Sequence, residues 1–94
     1  MNRKRRDVEA GLLAKGYRQA EGDHHYFVYW TIDNKKSLCK TKTSHGSGAK
    51  DLDSHLLSLM AKQCALSRDQ FLQLVDCPLS REKYEEIIQE KGRI

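Results

Sequence analysis

Two adjacent histidines and two alternating lysines are the residues of this chain best suited to proton transfer and to phosphate binding. His24 and His25 open a run of aromatic residues, and Lys40 and Lys42 alternate along a later segment. An imidazole exchanges protons near neutral pH, and ammonium groups bind the phosphates of a nucleic acid. This combination indicates a surface that could handle a nucleic-acid backbone.

The segment from residue 24 to residue 32 has the pattern of a β-strand, and its alternation predicts which side chains are exposed. Its more apolar set, which we expect to face the core, consists of Tyr26, Val28, Trp30 and Ile32. Phe27 and Tyr29 would then point outward with His25, beside Lys40 and Lys42. Exposed rings stack on bases for about 1–3 kcal/mol each, which favours RNA binding. The alternative is that the rings only form cross-strand pairs and the lysines only discourage edge aggregation.

A glycine-containing loop, HGSGAK at residues 45–50, precedes the longest predicted helix. Lys50 and the backbone amides at the helix start could bind an anion, and His45 adds an imidazole to the same loop. The spacing of a phosphate-binding P-loop is absent, so a plain glycine loop is an equally good interpretation.

The order of predicted elements is a helix at residues 7–15, three strands, a main helix from residue 51, and two short helices capped by Ser67 and Ser80. Short connections between the strands predict an antiparallel meander with helices on one face. The expected fold class is α+β, a helix–three-stranded antiparallel sheet–helix unit with a helical C-terminal extension. We place the unit at residues 1–76 and the extension, packed on or beside it, at residues 77–94.

Composition narrows the classes of function. The 94 residues include 17 Lys and Arg against 13 Asp and Glu, a net charge of +4 that suits a polyanionic partner. No apolar run approaches the roughly 20 residues of a membrane span, and we expect a cytoplasmic chain without a membrane role. The cysteines are odd in number, three, and lack CxxC spacing, so we expect neither a disulfide framework nor a metal site. We also expect no small-molecule cofactor.

Four segments together resemble the HicA family of messenger-RNA endoribonuclease toxins. They are KGY after the first helix, GDHHYF at the strand entry, KTKTSHGSGAKDLDSHLLSLMAKQ through the loop and main helix, and ALSRDQFLQL. The resemblance covers roughly residues 7–75. Asp23 stands where the family usually has Ser, and the loop histidine lacks its usual preceding Pro.

The resemblance implies a fold like the double-stranded-RNA-binding domain (dsRBD-like) and a catalytic role for His25. It also implies mRNA as substrate and a HicB-like antitoxin as partner. RNA cleavage of this kind needs no metal, because the 2′-hydroxyl attacks the adjacent phosphate while His25 transfers a proton. His24 and His45 are weaker candidates for a second proton-transfer group. The alternative is a non-catalytic RNA-binding or protein-interaction module on the same fold.

Overall fold

The computed structural model describes residues 3–43, 51–76 and 78–94, with the backbone alone at residues 23 and 24. Within these ranges the chain forms an α+β fold in which helices and a three-stranded antiparallel sheet share one hydrophobic core. The elements in chain order are β1 (Arg3–Lys4), α1 (Arg5–Ala14), β2 (Tyr17–Ala20), β3 (Asp23–Trp30), β4 (Lys36–Lys42), β5 (Asp51–Leu52), α2 (Ser54–Gln63), α3 (Arg68–Val75) and α4 (Arg81–Glu90).

The main sheet has the order β2-β3-β4, so β3 is its central strand. Both pairings are antiparallel, which confirms the predicted meander. A second, unpredicted sheet forms where β1 pairs antiparallel with β5. This short pairing places the basic start of the chain beside the segment that leads into α2. None of the helices in the described ranges has the length and apolar character that crossing a bilayer requires.

Local sequence signals set most of the element boundaries. Gly16 has φ +102°, a left-handed conformation that glycine adopts at little cost, and it ends α1. Ser67, a predicted cap, forms a capping box with Gln70 at the start of α3. Ser80, the other predicted cap, accepts a hydrogen bond from the Lys83 amide at the start of α4. These helices therefore begin where their capping residues predict.

The alternation of β4 is also as predicted. Cys39 and Thr41 are buried against the helices, whereas Lys40 and Lys42 are exposed on the other face of the sheet. Lys36 and Leu38 lie on the exposed face as well. We call this side of the sheet the open face.

The predicted orientation of β3 is wrong. Phe27 and Tyr29 are fully buried in the core, while Trp30 is only half-buried and Ile32 is 53% exposed. Val28 is buried as expected, but it lies on the open face, paired with Lys40. The odd-numbered and the even-numbered side chains of β3 both include large apolar groups. Composition alone therefore could not decide which of the two sets packs against the helices.

The buried side of the main helix differs in part from the one that its sequence predicts. The spacing of the side chains there predicts one buried stripe made of Leu52, Leu56, Leu59, Met60 and Gln63. The helix begins later, at Ser54 after the cap residue Asp53, and its buried residues are Leu57, Met60 and Ala61. Leu59 is 41% exposed. Met60 and Ala61 follow Leu57 by three and four residues, a spacing that places all three on one side of the helix.

Helix α4 contributes directly to the hydrophobic core. Tyr84 and Ile88 are fully buried, and the Tyr84 hydroxyl donates to the Cys64 carbonyl at 2.9 Å. The same hydroxyl is hydrogen-bonded to that of Tyr17. Burial raises the pKa of both phenols well above the ordinary tyrosine value.

The side chain of Tyr29 joins β3 to α4. Its hydroxyl donates to the Glu85 carboxylate at 2.7 Å, and its ring packs edge-on against that of Tyr84. Arg81 donates to the Trp30 carbonyl at 2.9 Å. Burial raises the pKa of Tyr29 to about 12. These contacts from α4 hold the odd-numbered face of β3 in the core.

Candidate functional site

His25 lies at the start of β3 on the side that faces α1, so the prediction that it shares a face with Lys40 and Lys42 is wrong. Its Nδ1 is 2.8 Å from Oε2 of Glu9, and 40% of its side chain is exposed. An ionised carboxylate can only accept a hydrogen bond, so this contact places a proton on Nδ1. In the neutral ring the basic lone pair is then on Nε2. A carboxylate that fixes both the tautomer and the ring direction is a common support for a proton-transferring histidine.

The carboxylate of Glu9 is itself held in place. Thr43 Oγ1 donates to the same Glu9 oxygen at 2.5 Å. The Thr43 amide donates to the His25 carbonyl at 2.8 Å, which closes the end of the β3–β4 pair. Three distant parts of the chain therefore meet at one carboxylate oxygen.

Each member of this group is positioned by regular structure. Glu9 follows the buried Val8 on α1, and its side chain is 20% exposed at the helix surface. His25 belongs to the central strand, and Thr43 directly follows β4 and is almost completely buried. Side chains held by helices and strands keep their mutual geometry better than side chains on loops.

A cleft of about 450 Å³ adjoins this group. Its described lining consists of Lys4, Arg5, Arg6, Glu9, His25 and Asp51. The three cations lie at the N-terminus of α1, where the helix dipole also favours an anion. The Arg3–Asp76 ion pair, at 3.0 Å, fastens this basic segment to the end of α3. The cleft thus joins an oriented imidazole to three cations, against the two carboxylates of Glu9 and Asp51.

The structure brings together only part of the predicted site. His25 lines the cleft, whereas Lys40 and Lys42 lie on the open face of the sheet. Phe27 and Tyr29 are fully buried, so the prediction that their rings are exposed for base stacking is wrong. Their exposure was inferred from the assumed orientation of β3, and the opposite orientation moves every ring to the other face. His45, Lys50 and the side chain of His24 lie outside the described parts of the chain.

The described ranges contain no candidate metal site. No group of three or more His, Cys, Asp or Glu side chains there is arranged to hold a metal ion. Cys39 and Cys64 are buried thiols, and burial raises the pKa of Cys64 to about 12. A thiol kept protonated in this way is a poor metal ligand and a poor nucleophile. These two cysteines therefore act as core side chains.

Glu9 and the cations that line the cleft were not predicted from the sequence. The basic run RKRR at residues 3–6 was visible as a charge cluster, but nothing local indicated that it lies beside His25. Glu9 is separated from His25 by 16 positions and from Thr43 by 34. Only the packing of α1 across the ends of β3 and β4 creates the site.

No family model, curated protein or solved structure matches this chain. The chemistry that this site could support is therefore inferred from the geometry of the cleft. The His25–Glu9 pair can accept and return a proton, and Lys4 and Arg5 supply positive charge for a bound anion. An anionic substrate whose reaction requires proton transfer fits both features.

Proposed function

We propose that this protein is a HicA-like, metal-independent mRNA endoribonuclease of a toxin–antitoxin pair, with His25 as its proton-transfer residue. The observation that carries the proposal is the 2.8 Å contact between His25 and Glu9 at the edge of a cation-lined cleft. The helix–three strands–helix order is compatible with a dsRBD-like fold, and that assignment is part of the same proposal.

The reaction would use the 2′-hydroxyl of RNA as its nucleophile. His25 takes the hydroxyl proton, the 2′ oxygen bonds to the adjacent phosphorus, and the bond from phosphorus to the 5′ oxygen breaks. The leaving oxygen receives a proton from water or from a second acid, and the products carry a 2′,3′-cyclic phosphate and a 5′-hydroxyl. General acid–base help of this kind contributes about 10²–10⁴-fold in rate.

Positive charge beside His25 would support both binding and chemistry. Lys4 and Arg5 can bind a phosphate and offset the charge that builds on the pentacoordinate phosphorus. Glu9 would keep the imidazole in its productive orientation and stabilise it once it is protonated. The assignment of Lys40 and Lys42 to RNA stays a prediction, since those side chains lie on the open face.

The test is a cleavage assay with purified protein, mixed RNA and excess chelator. We expect His25→Ala to abolish cleavage, because the proton acceptor is lost. His55→Ala is the matched control, since His55 is an exposed histidine on α2. A DNA strand of the same sequence should remain intact, because it lacks the 2′-hydroxyl, and cyclic phosphate ends should appear only on RNA products.

The outcomes separate the enzyme from a binding module. Equal cleavage by the wild type and His25→Ala would remove His25 from the mechanism. If the wild type does not cleave RNA but binds it in a salt-dependent way that Arg5→Ala weakens, the non-catalytic RNA-binding alternative is favoured.

The toxin role requires a partner that blocks the cleft. We propose a HicB-like antitoxin for this role, on the basis of the family resemblance. Expression of the wild type should arrest growth, and co-expression of the protein encoded by the neighbouring reading frame should relieve the arrest. Growth arrest by His25→Ala as strong as that by the wild type would contradict the proposed activity.

A further inference from the structure

The open face of the sheet has an apolar centre surrounded by cations. Leu38 exposes 68% of its surface there, which is unusual for a large aliphatic side chain in the middle of a strand. Tyr26 and Val28 of β3 lie beside it and line a shallow cleft of about 380 Å³ together with Lys36 and Lys40. An exposed apolar patch within a polar rim is the usual anatomy of a protein interface.

The cations on this face are available to an outside partner. Among the described residues, Lys36, Lys40 and Lys42 form no ion pair with a carboxylate. Arg93 lies in a neighbouring cleft with Leu38 and Lys42, and it extends the positive rim toward the C-terminus. A partner that covers Leu38 would therefore have to bring carboxylates to satisfy these charges.

Single-stranded nucleic acid fits this face less well than a protein does. Base stacking needs an accessible ring, but the Arg18 guanidinium lies over the Trp30 ring at 4.4 Å from its centroid. Arg18 is also held by a 2.5 Å hydrogen bond from its Nη2 to the Asn34 side chain. The half-buried Tyr26 is the other aromatic ring on this face. The most exposed apolar group is Leu38, which offers no stacking surface. A partner that carries both acidic and apolar side chains would pair with the lysines and cover Leu38.

We propose that the open face is a docking surface for an acidic protein segment. Its apolar side chains would cover Leu38 and Tyr26, and its carboxylates would pair with Lys36, Lys40 and Lys42. This inference goes beyond the proposed nuclease activity, because His25 lies on the helix side of the sheet and is not part of the surface.

The experiment selects binding peptides from a displayed library of random sequences, using the intact wild-type chain as bait. Peptides that also bind the Lys40→Glu variant of the protein are removed from the selection. We expect the remaining peptides to combine Asp or Glu with Leu, Ile or Phe. Trp30 is the sole tryptophan of the chain, so its fluorescence reports binding of a synthesised peptide at this face. Replacing the peptide's apolar residues with Ser should abolish binding at unchanged charge.

Matched variants locate the contact. Lys40→Glu should weaken binding at least about tenfold by placing like charges together, and Leu38→Asp should have a similar effect without opening a core cavity. Lys62→Glu makes the same charge change at an exposed site on α2 and should bind as the wild type does. His25→Ala should also bind normally, which separates this proposal from the nuclease proposal.

Several results would overturn the docking proposal. A selection that yields no acidic–apolar peptides dependent on Lys40 would do so. Equal binding by the Ser-substituted peptide would show a charge effect alone. Tighter binding of uridine-rich single-stranded RNA than of any selected peptide, lost in Lys40→Glu, would assign the face to nucleic acid. Concentration-dependent self-association lost in Leu38→Asp would assign it to a second copy of the chain.

Discussion

At the scale of single residues, the role of His25 depends on a neighbour that the sequence does not reveal. Glu9 accepts hydrogen bonds from both His25 and Thr43 through one oxygen. The carboxylate therefore stabilises one ring orientation and favours a proton on Nδ1. In the proposed reaction Glu9 would act through His25, as a positioning residue.

Replacing Glu9 with Gln should lower RNA cleavage while leaving the fold intact. The amide keeps the shape of the side chain but can present either an oxygen or a nitrogen to His25, so the tautomer is no longer fixed. We expect kcat to fall by about 10-fold or more, with a smaller change in KM. The measurement is the pH profile of kcat for both proteins.

A purely structural role for Glu9 predicts a different result. The free energy of unfolding would then change, while the pH profile of the remaining cleavage would match that of the wild type. Thr43→Val is the companion variant, because it removes the second hydrogen bond to Glu9 and leaves His25 in place. We expect its effect on kcat to be smaller than that of Glu9→Gln.

At the scale of elements, α1 is placed by a close contact with α3. A Cβ atom added at Gly11 would lie 2.6 Å from the Val75 carbonyl oxygen and 2.8 Å from the Val75 Cα. Both neighbours are backbone atoms, which cannot move aside as a flexible side chain can. The glycine therefore sets the distance between the helices, and through α1 it sets the position of Glu9.

Gly11→Ala should destabilise the protein by about 1–3 kcal/mol, the usual cost of overpacking. This sign is opposite to the gain of about 1 kcal/mol that alanine gives at an unhindered helix position. Urea denaturation measures the free energy of unfolding. Ala10→Gly, at an exposed site on α1, calibrates the helix-propensity effect in the same element. A Gly11→Ala variant more stable than the wild type would show that α1 and α3 are not in close contact.

At the scale of the whole molecule, α4 completes a core that the sheet and the other helices leave open. Tyr17, Tyr29 and Tyr84 pack together with ring centroids 5.1–6.0 Å apart, and each comes from a different element. Lys91 Nζ donates to the Ala65 carbonyl at 2.5 Å, and the Leu38 amide donates to the Arg93 carbonyl at 2.8 Å. The C-terminal segment thus contacts both the helical layer and the edge of β4.

A chain that ends at residue 76 should fail to fold cooperatively, although the sequence pattern predicts a unit boundary there. Burial of Tyr84 and Ile88 contributes about 1.5–3 kcal/mol for each side chain. Their loss would remove much of a total stability that is typically about 5–15 kcal/mol. Near-ultraviolet circular dichroism and urea denaturation provide the measurement. Glu86→Ala, at an exposed site on α4, should unfold as the wild type does, whereas a well-folded fragment would support the predicted division.

Stability should also fall at alkaline pH. The pKa of Cys64 is raised from 9.0 to about 12 and that of Tyr29 from 10.0 to about 12, both chiefly by burial. The folded state therefore retains protons that the unfolded chain releases. Their stabilising contribution is complete below pH 9 and is lost as the pH rises toward 12. The urea midpoint should decline across this window, with a smaller decline in Cys64→Ala, and a constant midpoint would contradict the burial of these groups.

The sequence by itself determined the order of the helices and of the main-sheet strands, and most of their ends. Capping residues such as Ser67 and Ser80 act on neighbouring backbone amides, and the alternation of β4 contrasts small side chains with lysines. Only the tertiary structure decided which face of β3 is buried, because both faces are apolar and the choice depends on distant partners in α4. It also decided that Glu9 and Thr43 surround His25. Contacts between segments far apart in the chain leave no trace in a local pattern. Here such contacts build the cleft and decide which side of β3 belongs to the open face.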